Sequence, residues 1–319
     1  MASAIKTVGV LGTGVIGSSW TTLFLSRGLK VIVSDPAPGA QQHLDDFIKR
    51  AWPSMQRIGL SADASPSNYK FVDDLANHLD DVDFVQENAP EKKEFKSKLF
   101  GNLDAKAKPG LILASSSSGI PSSQFVDGCT KAPERVLIGH PFNPPHLIPL
   151  VEVVPHPGTA KEVTETAIDF YRSLGKHPIL IKQEVPGFVA NRLQAVLGNE
   201  GNALVERGIV SAEDLDTAVT SSLGMRWAVT GPVMTNILGG GGGKDGFMRI
   251  QKSIGRSAQV WLKDMAEHPF TPTDESLEKV NDSVLQWIEH LELATVEEER
   301  DNVVLTIMDL KKQYVSIHQ

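Results

Sequence analysis

The apolar run Val8-Gly9-Val10-Leu11 leads without interruption into Gly12-Thr13-Gly14-Val15-Ile16-Gly17, a G-x-G-x-x-G turn. A strand that feeds such a turn, with a helix opening near Val15, leaves few architectures open. Gly12 supplies the tight turn, Gly14 lets a phosphate-bearing ligand approach the backbone, and Gly17 lets the helix lie close on the strand. The unpaired amides at the helix start favour an anion there. Alone the motif is weak, because glycine turns also open helices that bind nothing. Context strengthens it: a second strand-like run ends at Asp35, close to the roughly 20-residue separation at which dinucleotide-binding folds place an acidic residue. Such a carboxylate accepts hydrogen bonds from the adenosine ribose hydroxyls and repels the extra phosphate of NADP, so Asp35 points to NAD. FAD shares the fingerprint and remains an alternative.

The rest of the composition narrows the class. A chain of 319 residues is long enough for two domains and a large core. A net charge of -8 with no basic run excludes a nucleic-acid partner, whose phosphates need clustered Lys and Arg. A single cysteine, Cys129, cannot form an intramolecular disulfide, so a cytoplasmic location is expected. No apolar run approaches the ~20 residues that span a bilayer, and Met1 to Lys6 leaves no room for a signal peptide before the first strand.

Short apolar runs alternate with longer amphipathic stretches as far as Lys182. Candidate strands are Thr7–Leu11, Lys30–Ser34, Val82–Gln86, Leu111–Ala114, Val136–His140, Leu150–Val154 and Pro178–Lys182. Several are apolar throughout, as strands covered on both faces are. The expected fold is α/β: a Rossmann-type, doubly wound, mostly parallel sheet over residues 1–185, followed by an all-helical domain over 186–319. In the second part Phe188, Val189, Leu193, Val196, Leu197, Leu204 and Val205 recur at helical spacing. Gly208 suits a helix end and Ser211 an N-cap, predicting a helical hairpin around 206–213. Gly239–Gly243 does not make a phosphate-binding P-loop, because Leu238 stands where glycine is needed and Asp245 where Ser or Thr is needed; it reads as an interhelical loop. Val280, Val284, Trp287 and Ile288 share one helical face and read as core or interface, core being preferred.

Two strand ends carry polar residues where such a sheet places its ligands: Ser115–Ser118, and His140-Pro-Phe-Asn143-Pro. Each alone reads as loop or structure. Glu152 sits within the apolar run Leu150-Val-Glu-Val-Val, where an unpaired carboxylate is costly to bury. It needs a partner, and His140 is the natural one: a carboxylate held against an imidazole fixes its tautomer and raises its basicity, as a general base requires. A Glu capping some other backbone group is the alternative.

Ser115–Ser118, His140-Pro-Phe-Asn143-Pro, Leu150-Val-Glu152-Val-Val and Pro186-Gly-Phe-Val-Ala-Asn191-Arg-Leu resemble, in order and spacing, the 3-hydroxyacyl-CoA dehydrogenase family over residues 5 to 240. The resemblance implies that His140 is the catalytic base and Glu152 its partner. It implies that Ser118 and Asn191 bond the substrate oxygen, and that Asn143, Glu91 and Lys96 lie near the nicotinamide half of NAD. The implied reaction removes a 3-hydroxyl proton at His140 as hydride leaves the same carbon. The family also implies a homodimer formed by the helical domain.

Departures from the family pattern concern the substrate. Ser116 and Ser117 stand where acyl-CoA enzymes have Asn and Thr. Arg226, in Gly224-Met-Arg-Trp-Ala, resembles the branch that contains lambda-crystallin, an L-gulonate 3-dehydrogenase, and L-carnitine dehydrogenase. An arginine facing the cleft can grip a carboxylate through two parallel hydrogen bonds, and a free 3-hydroxy acid has the carboxylate that a CoA thioester lacks. Arg226 in an ordinary salt bridge is the alternative. Gulonate-type chemistry is the leading expectation, with L-carnitine or a 3-hydroxyacyl-CoA such as 3-hydroxybutyryl-CoA as the alternative substrates. Phe142 is shared with carnitine dehydrogenases, and it could face a quaternary ammonium or simply pack. A crystallin-like structural role without turnover is the non-enzymatic alternative.

Overall fold

A computed structural model describes residues 5–314. The chain divides into two compact units, one ending at Arg192 and the other beginning at Leu193. The first is built on one sheet of eight strands: β1 (Thr7–Leu11), β2 (Lys30–Ser34), β3 (Tyr69–Phe71), β4 (Phe84–Glu87), β5 (Ile112–Ser115), β6 (Val136–Pro141), β7 (Leu150–Pro155) and β8 (His177–Leu180). Their order is β3-β2-β1-β4-β5-β6-β7-β8, parallel everywhere except for the antiparallel pair β6 and β7. Because β1 lies between β2 and β4, the connections leave it in opposite directions, and such a switch point opens a crevice beyond the carboxyl ends of the strands.

Four helices complete this unit: α1 (Val15–Ser26), α2 (Ala40–Ile58), α3 (Lys93–Lys106) and α4 (Lys161–Ser173). Helix α1 is buried from Gly17 to Ser26, which explains its nearly unbroken apolar and small-residue composition. Trp20 stacks on Phe24 at 5.3 Å, and Phe24, Phe84, Phe170 and Tyr171 continue the aromatic layer. Each fully buried large apolar side chain of this kind contributes roughly 1.5–3 kcal/mol. On the opposite face Leu75, Val85, Phe100, Leu103, Leu113, Phe125 and Ile138 form a second layer.

The strand boundaries differ from the sequence reading in instructive places. β3 was not expected: it is three residues long, lies at the sheet edge, and neither Tyr69 nor Phe71 is fully buried, so it leaves no apolar run. The last strand is His177–Leu180 rather than Pro178–Lys182, and as the other edge strand it exposes Ile179 and Leu180.

Helix α5 (Ala190–Glu206) begins in the first unit and continues into the second, which is helical: α6 (Ala212–Ala218), α7 (Gly224–Gly239), α8 (Gly246–Glu267), α9 (Asp274–Ile288) and α10 (Leu293–Lys311). The Ser211 hydroxyl accepts from the Asp214 amide and caps α6, and Gly208 takes a left-handed φ of 66°, which closes the hairpin at the expected place. Phe188 and Val189 precede α5 instead of belonging to it. Of the Gly239–Gly243 run, Gly239 ends α7 and the remaining four lie in the α7–α8 connection, where Arg249 donates to the carbonyls of Gly240 and Gly242. Val280, Val284, Trp287 and Ile288 are half-buried on α9, which has no fully buried residue, so the preferred core reading is corrected.

Candidate active site

The Gly12–Gly17 turn projects from the carboxyl edge of β1. Gly12 has φ 84°, and a Cβ there would lie 2.8 Å from the Asn88 carbonyl oxygen. A Cβ on Gly17 would lie 1.8 Å from the Gly12 carbonyl oxygen, so only glycine lets α1 approach the strand. Gly14, in contrast, has nothing within 4 Å of its Cβ position. No side chain caps α1, and Val15 is 54% exposed. Two glycines are therefore required by the fold, and the third leaves an open approach to uncapped helix amides. That arrangement fits the pyrophosphate of a dinucleotide.

Asp35 follows β2 and holds the turn. Its Oδ2 accepts from the Thr13 amide at 2.6 Å and the Thr13 hydroxyl at 2.9 Å, and its Oδ1 accepts from the Ala37 amide at 2.8 Å. This fastening was not visible in sequence. It leaves Oδ1 lone-pair capacity for a ribose hydroxyl, since each carboxylate oxygen accepts about two bonds. Asp35→Ser is expected to weaken NAD binding by about 10–100-fold, the value of a hydrogen bond to a charged group, and to narrow the preference over NADP. Steady-state KM values for both cofactors check this, and an unchanged ratio would show that another residue discriminates them.

Beyond β5, the segment 115–120 is held by carboxylates on the neighbouring loop. Glu87, at the end of β4, is fully buried with Lys96 of α3: Nζ lies 2.8 and 2.9 Å from the two carboxylate oxygens. The Ser115 hydroxyl donates to Glu87 Oε2 at 2.5 Å. Glu91 Oε1 accepts from the Ser117 hydroxyl at 2.7 Å and from the amides of Ser118, Gly119 and Ile120 at 3.0, 3.1 and 3.4 Å. Partial burial pushes the Glu91 carboxyl up, but these donors and Lys96 outweigh it and hold it below the ordinary carboxylate range. Lys96 is 1% exposed, so its ammonium is spent on Glu87 and Glu91. The Ser116 hydroxyl receives Gln86 Nε2 at 2.7 Å and donates to Asn88 Oδ1 at 2.7 Å. The two departures at Ser116 and Ser117 thus serve the loop's own scaffold.

His140 and Glu152 face each other directly in the antiparallel β6–β7 register. Opposite residues of neighbouring strands point to the same face, so the sheet itself brings together side chains distant in sequence. His140 Nδ1 lies 2.8 Å from Glu152 Oε2, with the carboxylate fully buried and the imidazole nearly so. Because an ionised carboxylate only accepts, Nδ1 carries the proton and Nε2 keeps its lone pair. Glu152 Oε1 accepts the amides of Val189 at 3.0 Å and Ala190 at 2.9 Å. Burial pushes the Glu152 carboxyl up, but the bond from His140 and the two amides outweigh it and hold it low. Its folded value being depressed, Glu152 stabilises the protein above the unfolded carboxylate range, and that contribution is lost as pH falls through the folded value.

Around this pair, Phe142 tilts against the imidazole at a centroid distance of 4.9 Å and Phe188 at 5.7 Å. Asn191 Nδ2 donates to the Ser118 carbonyl at 2.7 Å, so the two expected substrate-bonding residues are bonded to each other, one through its backbone. The Ser118 side chain and Asn143 are exposed. In the second unit, Arg226 lies on α7, is exposed, donates from Nε to the Ser222 carbonyl at 3.3 Å and forms no ion pair among the described residues. Sequence reasoning missed Gln86, Glu87 and Asn88; their signal was a polar triplet directly following Phe84-Val85, at the carboxyl edge beside β1. Phe188 was read as part of a helix and of the Pro186–Leu193 motif, with no role of its own. Among the described residues no group of His, Cys, Asp or Glu could hold a metal ion, and no helix is long and apolar enough to cross a membrane.

Comparison with known proteins agrees with this geometry. Residues 7–185 match the NAD-binding domain of 3-hydroxyacyl-CoA dehydrogenase, and residues 187–276 match its C-terminal domain. A 3-hydroxyacyl-CoA dehydrogenase of Gibberella moniliformis is 50% identical over 317 residues, covering 99% of this chain and 98% of the relative. An L-carnitine dehydrogenase of Oceanobacillus iheyensis is 38% identical over 311 residues, covering 97% and 99%. Among solved structures, an NAD+-dependent dismutase, 5-formyl-3-hydroxy-2-methylpyridine 4-carboxylic acid 5-dehydrogenase, superposes with a TM-score of 0.76 at 27% identity, covering 97% and 99%. With both domains matched in order, this chain belongs to the 3-hydroxyacyl-CoA dehydrogenase family of NAD-dependent oxidoreductases acting on 3-hydroxyl groups.

Proposed function

We propose that the protein oxidises the 3-hydroxyl of a small substrate bearing a free carboxylate to the 3-keto acid, with His140 as general base. The observation that carries this is the 2.8 Å bond from His140 Nδ1 to a fully buried carboxylate, which leaves Nε2 as the proton acceptor. Bound NAD supplies the hydride acceptor. Glu152 holds the imidazole's orientation and offsets the positive charge it gains. Ser118 and Asn191 donate to the substrate oxygen: the exposed Ser118 hydroxyl is available for this, and Asn191 retains a second amide hydrogen. Asn143, Glu91 and Lys96 flank the nicotinamide half, with Lys96 acting through Glu87 and Glu91.

The free-acid reading rests on Arg226, whose guanidinium has no acidic partner among the described residues. L-gulonate-type chemistry is the first reading. L-carnitine is the second, supported by the Phe142 ring beside His140 and by relatives named L-carnitine dehydrogenase. NADH formation measured in parallel with L-gulonate, L-carnitine, 3-hydroxybutyrate and 3-hydroxybutyryl-CoA tests it; turnover of the CoA thioester alone would overturn the free-acid reading. Arg226→Met is expected to raise KM for the free acid by about 10–100-fold, the value of a charge-assisted bond, with the KM for NAD unchanged. A homodimer is proposed as well, supported by exposed apolar residues on α8, where Val260 is 70% and Trp261 58% exposed. Sedimentation equilibrium checks it, and a monomer at all concentrations would exclude it.

A further inference from the structure

The turn that links β8 to α5 contains two consecutive residues in the left-handed region, Gly187 with φ 73° and Phe188 with φ 50°. Glycine adopts this conformation freely. A bulky L-residue does not, and Phe188 is the one non-glycine residue with positive φ among the described residues. Such a conformation persists only where the surroundings over-determine it, and it concentrates at functional sites.

The surroundings of Phe188 are specific. Its ring is fully buried in the layer that contains Phe100, Phe125 and Ile138, and its centroid lies 5.7 Å from that of the His140 imidazole at an interplanar angle of 53°. Its amide donates to the Val185 carbonyl at 3.0 Å, closing the turn. The next two amides, Val189 and Ala190, converge on Glu152 Oε1. Glu152 Oε2 receives His140 Nδ1.

We infer that Phe188 is a positioning residue for the His140–Glu152 pair: its left-handed backbone turns two amides onto the carboxylate while its ring seats the imidazole. A site that needed only the turn would be served by glycine, without strain. A site that needed only the ring would be served by phenylalanine at an ordinary negative φ. The structure has both in one residue, and the two duties fall on the two halves of one hydrogen-bonded pair. Glu152 is thereby held from both sides, by the imidazole at one oxygen and by the start of α5 at the other. The inference rests on the reading of His140 as the base, through which Phe188 would affect turnover.

The test separates the two duties in the full-length chain, reading the titration of the Glu152 carboxyl by 13C NMR together with kcat and the KM for NAD. Phe188→Gly keeps the turn and loses the ring: the Glu152 titration is expected to match the parent while kcat falls about tenfold. Phe188→Ile keeps apolar volume, but its β-branch resists the left-handed region more than phenylalanine does: the Glu152 carboxyl is expected to titrate about one pH unit higher, with kcat again lowered about tenfold. Ala190→Pro deletes one amide donor at the first residue of α5, and because its ring carbon takes the place of a hydrogen aimed at Glu152 Oε1, the carboxylate must also shift. It is expected to raise the Glu152 titration with the KM for NAD within about twofold. An unchanged Glu152 titration in Phe188→Ile, or a parental kcat in Phe188→Gly, overturns the inference; if Phe188→Ile does not fold, the kcat of Phe188→Gly decides. His140→Ala distinguishes the two levels, because full turnover in that variant removes the base reading, and the Glu152 titration then decides by itself whether Phe188 positions the carboxylate.

Discussion

Replacing His140 with alanine is expected to lower kcat/KM for the 3-hydroxy substrate by about 10²–10⁴-fold, the usual contribution of a positioned general base. The affinity for NAD should stay within about twofold, because the glycine turn and Asp35, proposed here to serve the cofactor, lie at β1, α1 and the end of β2 and bond to one another rather than to His140. Glu152→Gln is expected to reach the lower part of the same range. It keeps the side-chain volume but presents Nδ1 with an amide, so the tautomer that leaves Nε2 basic is no longer enforced. Glu152 is fully buried and accepts three hydrogen bonds, so Glu152→Ala should in addition cost stability, because it strands the Val189 and Ala190 amides without an acceptor. Stopped-flow single turnovers with NAD binding measured separately check all three. Normal turnover in His140→Ala would show that the proton leaves to another group.

The second large effect is expected from Gly17→Ala. The new Cβ would stand 1.8 Å from the Gly12 carbonyl oxygen, which belongs to the backbone of the β1–α1 turn and cannot swing aside. The start of α1 must withdraw from β1, carrying with it the helix that buries Trp20 and Phe24. Overpacking of this kind costs about 1–3 kcal/mol or more, and it displaces the uncapped α1 amides whose arrangement fits a pyrophosphate, so NAD binding should be lost as well. Gly14→Ala provides the contrast. With open space around its Cβ, it should fold with the parent's thermal midpoint while NAD binds more weakly, since the methyl group intrudes on the ligand side. Thermal unfolding with and without NAD separates these outcomes. A Gly17→Ala protein of parental stability would contradict the packing argument, and a Gly14→Ala protein of parental NAD affinity would show that the pyrophosphate approaches elsewhere.

Much of the N-terminal fold was legible because its signals are local. The apolar runs Thr7–Leu11 and Lys30–Ser34 coincide with β1 and β2, since strands covered on both faces must be apolar at nearly every position. The glycine spacing was legible because the turn is a local motif: Gly17 is required by the Gly12 carbonyl five residues before it, although the demand at Gly12 comes from Asn88 and Gly14 meets none within the protein. β3 was not legible: a short edge strand buries too little to need an apolar pattern. Phe188 was misplaced for a different reason. Apolar periodicity records which side chains are buried, and Phe188 is buried, but its left-handed φ comes from the turn and leaves no trace in spacing.

The site divides along the same line. The sequence by itself determined the glycine turn after β1, the acidic residue that follows β2, and the necessity that Glu152 find a partner, because burial of a charge within an apolar run is costly wherever the strand goes. Only the tertiary structure decided how that necessity is met. The antiparallel register of β6 and β7 sets Glu152 against His140, the turn at Phe188 supplies the other two donors, and Glu91 gathers the amides of Ser118, Gly119 and Ile120. These partners lie far apart along the chain, and hydrogen-bond pairing over such separations depends on sheet register and loop path, which composition and periodicity do not encode.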